Sequence, residues 1–507
     1  MFDFEHLTTT NGFDFENLVN ARQNNYAWSM AELGDYIYVG TGRNILANII
    51  KAFNENIALP SLVGPCCPAS LNNQAEIWRY KKNGLLPWNR VYTAPLESGI
   101  FGFRYMVQHR PFGGSPCLYA AGYGRNVEIL KSTNGCDWCK TENNLQGTSS
   151  RAMVSHKGKL YVATVDALGS GSDVPLLYRS EDPEFCPWEL VTDTSAPNFD
   201  PDKNPRGAIS NMTVFNDRIY VATSNPDGVQ VWRSNSPEPK LNDWTLIVDG
   251  GFGNPSNKYS LAMGVFKKHL YVSATKPLPL AWAIPMGCEI IRIDKKDNWQ
   301  LVVGGRSLLS PLFGNDERKS ISGLGPGFNN PFNVYGWQIQ EYKGKLFVST
   351  FDDSSNMEVI LTTLLANRSA LEQLISPALT KLLIEIYEGI VQLLRLIKYP
   401  GGFDLYVSDD GVNFSPVFLD GLANPKNYGG RILFVDSNKN LYIGTANPFE
   451  GCEVWRVKDI GYWDLFLCDD NHYNNIWKSN EAIIEKINAL VDNMPAISKI
   501  LTKDYLF

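Results

Sequence analysis

The sequence predicts an all-β fold, namely a seven-bladed β-propeller with helical insertions on one face and a C-terminal helical tail. An internal repeat of seven units is the main observation behind this prediction. Within the units, apolar and polar residues alternate with a period of two, which is typical of half-buried strands. The 507 residues also include 42 Gly, 25 Phe, 23 Tyr and 13 Trp, a composition that favours strands joined by many turns.

Each repeat contains an apolar strand, a short polar turn and a second strand such as LYVAT, followed by a third and a fourth strand. Four strands per unit and seven units predict seven propeller blades. The first strands of the units begin at Trp28, Arg104, Arg151, Ser210, Leu261, Trp337 and Arg431. The last unit takes its fourth strand from YWDLFL at residues 462–467. The propeller thus spans 26–470, between an N-terminal segment at 1–25 and a tail at 471–507.

Three loops between second and third strands are enlarged, at about residues 42–73, 276–287 and 354–401, and all are rich in apolar residues. Such loops emerge on one face of a propeller, where binding sites are common. The third insertion predicts a helix, with Ser376 as N-cap and Pro377 at the first position. Its apolar face is Leu379, Leu382, Leu383, Ile386, Ile390, Leu393, Leu394 and Ile397. The insertion either covers the central pocket as an apolar lid, or packs against the propeller rim or a second copy.

Charge and targeting signals exclude several classes of function. The chain has 46 Lys plus Arg and 53 Asp plus Glu, a net charge of −7, which argues against binding to a nucleic-acid backbone. It has no run of 18 uncharged apolar residues, so we expect no membrane span. The N-terminus lacks a basic region followed by an apolar stretch, and the nine Cys form no regular framework. These features predict a cytoplasmic protein and leave its oligomeric state open.

Residues that start the first strands should line the central channel. Arg104, Arg151 and Arg431 would then converge there, although a core position holds Arg only where the charge is paired or serves a ligand. They could bind an anion or a leaving group, or they could simply pair with carboxylates or with water in the channel. A Tyr recurs just before these positions, at Tyr26, Tyr259, Tyr335 and Tyr428.

Acidic residues follow the second strands, and Asp352 and Asp353 come directly after LFVST. Either carboxylate could act as a general base, or could only cap its loop. Asp200, Asp202 and Asn204 resemble half of a calcium loop, but Pro205 replaces the required Gly. We therefore assign no metal ligands, and no cofactor is required by the sequence.

The repeat, the Arg that opens the second unit in GIFGFRYM, and the acidic and Tyr residues of the last units resemble a family of cyanobacterial propeller enzymes. These are the alkylating enzymes of cylindrocyclophane and bartoloside biosynthesis. They join a secondary alkyl chloride to a resorcinol carbon or a carboxylate oxygen, with loss of chloride. The resemblance covers most of the propeller and implies apolar small-molecule substrates, an alkyl chloride and an aromatic or carboxylate nucleophile.

In that family an Arg and a Tyr contact the departing chloride, and an Asp deprotonates the phenol. The resemblance carries these roles to Arg104, to Tyr428 in NYGGR and to Asp352 in STFDDS. Arg151, Arg431, Trp28, Trp337, Leu324 and Asp353 complete the predicted substrate-binding set. One family member is fused to a calcium-binding domain, but this chain has no Gly-Gly-x-Gly-x-Asp array, so a calcium requirement stays open.

Two other functions fit the same pattern. A sialidase-like glycoside hydrolase would use three channel arginines to bind a sugar carboxylate and a Tyr as nucleophile. Turns such as STNGCDW, from Ser132, resemble the Asp-box turns of some propellers. A non-catalytic propeller would instead bind partners through its apolar insertions. The nucleophile, the alkyl chain and the choice between C- and O-alkylation are not determined by the sequence.

Overall fold

The protein is described by a computed structural model, which covers residues 2–49, 51, 71–84, 86–141, 144–166, 174–277, 286–306, 317–374 and 376–460. Antiparallel strands dominate these residues, so the all-β prediction is confirmed. Most of the first insertion, the centre of the second, the strand expected at 462–467 and the tail at 471–507 lie outside the described residues.

The strands form groups of four, and within each group successive strands pair antiparallel. Unit 1 contains β2 (Asn24–Leu33), β3 (Tyr36–Arg43), β4 (Glu76–Lys81) and β5 (Asn89–Thr93). Unit 2 contains β6 (Gly102–His109), β7 (Cys117–Tyr123), β8 (Glu128–Ser132) and β9 (Cys139–Lys140). Unit 3 contains β10 (Ser149–His156), β11 (Lys159–Val165), β12 (Leu176–Ser180) and β13 (Glu189–Leu190).

Units 4 to 6 follow the same plan. Unit 4 contains β14 (Ala208–Phe215), β15 (Arg218–Ser224), β16 (Gln230–Ser234) and β17 (Trp244–Val248). Unit 5 contains β18 (Met263–Phe266), β19 (His269–Ala274), β20 (Glu289–Ile293) and β21 (Trp299–Val303). Unit 6 contains β22 (Asn333–Tyr342), β23 (Lys345–Asp352), β24 (Leu405–Ser408) and β25 (Ser415–Phe418).

Unit 7 is assembled from both ends of the described chain. It contains β26 (Gly429–Val435), β27 (Leu441–Ala446) and β28 (Val454–Ile460), and its fourth strand is β1 (Phe2–His6), which pairs antiparallel with β28. The sequence prediction that residues 1–25 are a separate segment is therefore wrong for this strand. The alternating FDFEH was not recognised because its partner lies more than 440 residues away along the chain.

Buried second strands and the spaces between neighbouring units form the core. In β11, for example, every residue from Leu160 to Val165 is buried, which explains its nearly continuous apolar sequence. The first strand of each unit contacts the first strand of the next, in the order β2, β6, β10, β14, β18, β22 and β26, and β26 contacts β2. The first strands thus form a continuous series of contacts, in which the last strand also contacts the first.

The described helices are few, and most belong to the third insertion. Apart from the short helical turns at Gly250–Gly253 and at residues 45–49, they are α1 (Leu18–Gln23), α2 (Met357–Ala366), α3 (Arg368–Leu374) and α4 (Pro377–Leu396). Helix α4 starts as its sequence predicts, because Ser376 Oγ accepts a hydrogen bond from the Leu379 amide at 3.3 Å. Short 3-10 turns occupy Leu96–Ser98, Pro326–Asn329 and Asp353–Asn356. None of the described helices is long and apolar enough to cross a membrane.

Four units share a side-chain arrangement that we call the Asn–carboxylate clasp. The segment that leads into the first strand carries two Asn, the second of which begins the strand in units 1 and 6. Both amides donate hydrogen bonds to one buried carboxylate at the start of the third strand. The clasps are Asn20 and Asn24 with Glu76, Asn254 and Asn257 with Glu289, Asn330 and Asn333 with Asp404, and Asn424 and Asn427 with Glu453. Each clasp ties together two segments at the same end of its unit.

Replacing Phe4 by Ala should lower the free energy of unfolding by about 1–3 kcal/mol, because β1 completes unit 7 and its ring packs on apolar side chains. The Phe4 ring lies 5.5 Å from the ring of Phe418 in unit 6. Urea unfolding measures the change. Replacing Phe112, which is 93% exposed, is the control and should change the free energy by less than about 0.5 kcal/mol. Equal effects of the two changes would contradict a stabilising role for β1.

Candidate functional site

A central cavity of about 200 Å³ lies where the first strands meet. Each unit contributes the residue predicted to open its first strand: Trp28, Arg104, Arg151, Ser210, Leu261, Trp337 and Arg431 all line this cavity. Because side chains of a strand alternate between its faces, the repeat sets which residue of each unit points inward. The structure thus brings Arg104, Arg151 and Arg431 together, as the sequence predicts.

The three arginines are buried, with exposures of 4% for Arg104, 7% for Arg151 and 9% for Arg431. No carboxylate of the described residues lies within ion-pair distance of any of them. Arg104 donates a hydrogen bond to Ser149 Oγ at 3.0 Å, whereas Nε and Nη2 of Arg151 and Nε of Arg431 have no partner among the described residues. Buried donors without partners are rare and indicate a site for an acceptor.

Aromatic rings hold two of the guanidinium groups in place. The Arg104 guanidinium lies 5.0 Å from the Trp28 ring centre and 4.8 Å from that of Tyr123. That of Arg431 lies 5.3 Å from the ring centre of Trp337. These cation–π contacts offset part of the desolvation of the charges but leave the donor atoms available.

Burial and mutual repulsion lower the pKa of the cavity arginines. The pKa of Arg104 falls well below its usual value because of desolvation and the charges of Arg151 and Arg431. Desolvation lowers the pKa of Arg431 to about 10 and that of Arg151 in the same direction. With a pKa of about 10, Arg431 still carries its charge at neutral pH. The cavity therefore concentrates positive charge in an apolar surrounding, where electrostatic interactions are strong.

Tyrosine hydroxyl groups form a second ring of polar atoms. Tyr26 and Tyr428 are hydrogen-bonded through their hydroxyl groups, and those of Tyr259 and Tyr335 lie 3.4 Å apart. The Tyr123 hydroxyl is buried and has no partner among the described residues. Burial raises the pKa of Tyr123, Tyr335 and Tyr428, so these groups are neutral donors at ordinary pH. Tyr123 was not among the residues predicted from the sequence, because it ends a second strand rather than preceding a first strand.

Apolar side chains complete the walls. Phe101, Phe351 and Leu261 line the cavity together with Ile45 and Ile49, which belong to a helical turn at residues 45–49 in the first insertion. This part of the first insertion lies at the cavity, as its position in the sequence suggests.

The third insertion reaches the cavity at Asn356; helix α4 does not line it. Instead, Ile386 and Ile390 of α4 pack in a cluster with Met357 of α2 and with Phe332, which precedes β22. Within the described residues, the contacts of α4 are thus with α2 and the segment before β22 rather than with the cavity.

Asp352 does not line the cavity, contrary to the sequence prediction for a general base. Its Oδ1 accepts a hydrogen bond from the Ser354 amide at 2.8 Å, and Oδ2 accepts one from the Tyr399 hydroxyl. Leu324 is also misplaced by the prediction, because it packs in the core cluster around Phe328 in unit 5 rather than at the cavity.

Asp353 lies closer to the cavity than Asp352. Its Oδ1 accepts a hydrogen bond of 2.6 Å from Nδ2 of Asn356, a residue that lines the cavity. Its negative charge also raises the pKa of Tyr335 and Tyr428. The chain turns into a 3-10 helix after Asp352, and this turn directs the two neighbouring carboxylates to different surroundings.

No group of three or more His, Cys, Asp or Glu side chains within the described ranges is arranged to hold a metal ion. In the segment that resembles half of a calcium loop, the Asp200 carboxylate accepts from the Asp202 amide and pairs with Lys203 at 2.9 Å. Asn204 donates to Asn242 Oδ1, a contact that joins the loop to unit 4. The side chains of this loop are therefore engaged in contacts within the protein.

No protein-family model and no curated protein matches this chain. Among solved structures, it is similar to the Neurospora crassa Pan2 WD40 domain and to the WD40 β-propeller domain of Doa1. Each match has 9% identity, covers 90% of this chain and 97% of the other, and has a TM-score of 0.42. The Pyrococcus horikoshii acylaminoacyl peptidase matches with 9% identity, over 90% of this chain and 53% of that chain, at a TM-score of 0.39. Matches at this level carry no argument about function.

Proposed function

We propose that the four-stranded units are the blades of a closed, seven-bladed propeller and that its central cavity is the active site of an alkylating enzyme. The enzyme would join a secondary alkyl chloride to a resorcinol-type carbon or to a carboxylate or phenol oxygen. The contact between β26 and β2, together with the pairing of β1 with β28, supports closure of the ring. The observation that carries the function is the set of three buried arginines that have no carboxylate partner among the described residues and surround one apolar cavity.

The arginines would stabilise the leaving group. When the bond between carbon and chlorine breaks, chloride leaves with the bonding electrons, and negative charge develops where Arg104, Arg151 and Arg431 can meet it. Preorganised donors in a dry site stabilise such charge more strongly than water does. The hydroxyl groups of Tyr123 and Tyr428 add neutral donors at the same cavity. In this reaction the nucleophile supplies the electrons of the new bond to carbon.

A base must accept the proton that a phenol or resorcinol loses. We assign this role to Asp353, because its carboxylate contacts Asn356 of the cavity wall and its charge raises the pKa of the cavity residues Tyr335 and Tyr428. A carboxylate nucleophile would need no such base, since it reacts in its ionised form. The dependence of turnover on Asp353 therefore distinguishes the two classes of nucleophile.

The cavity walls favour an apolar substrate. Trp28, Trp337, Phe101, Phe351 and Leu261 surround the arginines and offer contact area to an alkyl chain. Each methylene buried there contributes about 0.8 kcal/mol to binding. A sugar would leave its hydroxyl groups against these rings, so the walls favour an alkyl chloride over the sugar of a glycoside hydrolase.

The test is an assay with a long-chain secondary alkyl chloride and, separately, an alkylresorcinol or a fatty acid, following free chloride and the mass of the product. We expect an adduct with wild type, and none with Arg104→Ala. The matched control is Arg395→Ala, because Arg395 is 69% exposed on α4 and pairs with Glu358. Folded wild-type protein that releases no chloride with either nucleophile, with and without calcium, would refute the alkylation. Cleavage of a sialoside would then support the glycosidase, and inactivity in both assays a binding scaffold.

A further inference from the structure

The four Asn–carboxylate clasps differ at one position, the residue that ends the second strand or follows it within two positions. This residue is Arg43 in unit 1, Lys276 in unit 5, Asp352 in unit 6 and Asn447 in unit 7. Arg43 and Lys276 bring a positive charge to 3.6 Å and 3.8 Å from the clasp carboxylates Glu76 and Glu289. Unit 6 instead places a second acid next to the clasp carboxylate Asp404.

In two clasps this residue also donates a hydrogen bond to the second clasp Asn. Arg43 Nη1 donates to Asn24 Oδ1 at 2.9 Å, and Asn447 Nδ2 donates to Asn427 Oδ1 at 3.1 Å. In units 5 and 6 the equivalent acceptors, Asn257 Oδ1 and Asn333 Oδ1, have no partner among the described residues, and in unit 6 the clasp carboxylate oxygen Asp404 Oδ1 has none either. An ionised Asp352 has no proton to donate, so the unit 6 clasp lacks one donor.

Asp352 and Asn447 otherwise make the same backbone contact. Asp352 Oδ1 accepts from the amide two residues later, Ser354, at 2.8 Å, and Asn447 Oδ1 accepts from Phe449, also two residues later, at 3.1 Å. Oδ2 of Asp352 therefore corresponds to Nδ2 of Asn447. A protonated carboxyl group has the shape of an amide and, like it, one side that accepts and one that donates.

We propose that the Asp352–Asp404 pair holds one proton at neutral pH, and that the protonated Asp352 takes the role that the Asn447 amide has in unit 7. Asn330 Nδ2 lies 3.4 Å from Oδ2 of each carboxylate, so both acids face one amide. The other groups that face the pair are neutral donors: Tyr399, Tyr406, Asn333 and the Ser354 amide. No Lys or Arg of the described residues forms an ion pair with either acid.

The charge environment agrees with this geometry. Burial raises the pKa of Asp352, and burial together with the charge of Asp352 raises the pKa of Asp404 to about 7. Because the two groups interact, the pKa of about 7 describes the pair, and the form with the proton on Asp352 is the one that supplies the missing donor.

This proton lies where the third insertion is anchored. Asp352 caps the 3-10 turn Asp353–Asn356, which leads into α2, and it accepts the hydroxyl of Tyr399, which follows α4. The Asp352 amide donates to the carbonyl oxygen of Tyr428 at 2.8 Å. Loss of the proton would place two negative charges at this anchor, so the insertion and the adjacent cavity wall should loosen as pH rises.

The direction in which stability changes with pH follows from the difference between the pKa of the pair in the folded protein and that of Asp in the unfolded chain. An Asp of the unfolded chain loses its proton near pH 4, whereas the folded pair retains one up to about pH 7. The free energy of unfolding therefore falls as pH rises from about 4 to about 7. Above pH 7 the titration of this pair changes it little. The variant Asp352→Asn removes the proton-dependent step and keeps a donor at the same position.

The experiment compares wild type and Asp352→Asn by thermal unfolding at pH 5 and at pH 8, on either side of the raised pKa of Asp404 at about 7. We expect the melting temperature of the variant to exceed that of wild type by several degrees more at pH 8 than at pH 5.

Hydrogen exchange in residues 353–399, corrected for its intrinsic pH dependence, should accelerate with pH in wild type and not in the variant. Infrared spectra of wild type at neutral pH should show a protonated carboxyl band that the variant lacks.

The matched control is Asn447→Asp, which places an acid beside Glu453 and should give unit 7 the pH dependence of unit 6. A difference between wild type and Asp352→Asn that is the same at both pH values, or the absence of the carboxyl band, would overturn the proposal. Calcium or magnesium that raises the melting temperature of wild type but not of Asp352→Asn would also overturn it, because a metal ion rather than a proton would then balance the pair.

Discussion

Replacing Arg151 by Met should lower turnover by about 10²–10³-fold without lowering stability. Arg151 has two buried donor atoms without partners among the described residues and no ion-pair carboxylate, so it contributes little to holding the fold. On the proposed function, it is one of the donors that meet the departing chloride, and the loss of one such donor lowers kcat by about 10²–10³-fold. Met fills a similar volume and removes a buried charge, so the free energy of unfolding should rise by about 1 kcal/mol or more.

Chloride release and urea unfolding, measured on the same preparations, test both parts of this prediction. Arg104→Met serves as the comparison, because Arg104 stacks on Trp28 and donates to Ser149 and should lose some stability together with activity. An Arg151→Met protein that is clearly less stable than wild type would show that the guanidinium supports the fold. Unchanged turnover would remove Arg151 from the reaction.

Replacing Glu76 by Gln should strongly destabilise the protein. Glu76 is 2% exposed and accepts hydrogen bonds from Asn20, Asn24, Trp78 and Arg90, at distances of 2.8–3.0 Å. It also faces Arg43, which is fully buried. Removal of one partner from a buried ion pair leaves an uncompensated charge and costs about 3–5 kcal/mol. Equilibrium unfolding in urea measures the loss.

The same substitution at Glu5 provides the control for Glu76→Gln. Glu5 pairs with Arg456 across β1 and β28, and the two side chains are 27% and 18% exposed. Solvent can take over part of this interaction, so Glu5→Gln should cost about 1 kcal/mol or less. If the two variants lose equal stability, the clasp in unit 1 is not the buried electrostatic core that its geometry indicates.

The sequence was sufficient to identify the residues that face the centre of the molecule. The repeat aligns Trp28, Arg104, Arg151 and their counterparts, and side chains alternate strictly along a strand, so this position supplies one lining residue from each unit. The start of α4 could also be predicted, because a Ser–Pro cap and an apolar face are local signals. Both predictions depend on residues that are close together in the chain.

The clasps show where a sequence signal was present but was not used. The paired Asn residues precede the first strands with a spacing of three or four, and a carboxylate opens the third strand of the same units. The pattern could have been found by aligning the loops as well as the strands. Its meaning still required the structure, because hydrogen bonds between the loop and the third strand join residues more than 25 positions apart.

Tertiary structure alone decided three other features. It showed that β1 completes unit 7, since the pairing of Phe2 with Ile460 joins two segments that are distant in the chain and cannot be inferred from the residues of either segment alone. It separated Asp352 from Asp353, because the strand ends between them and the backbone turns. It also placed the cavity arginines without carboxylate partners among the described residues, although Asp and Glu outnumber Lys and Arg in the chain. Local sequence sets the direction of a side chain along its strand, whereas its partners depend on which distant segments pack against it.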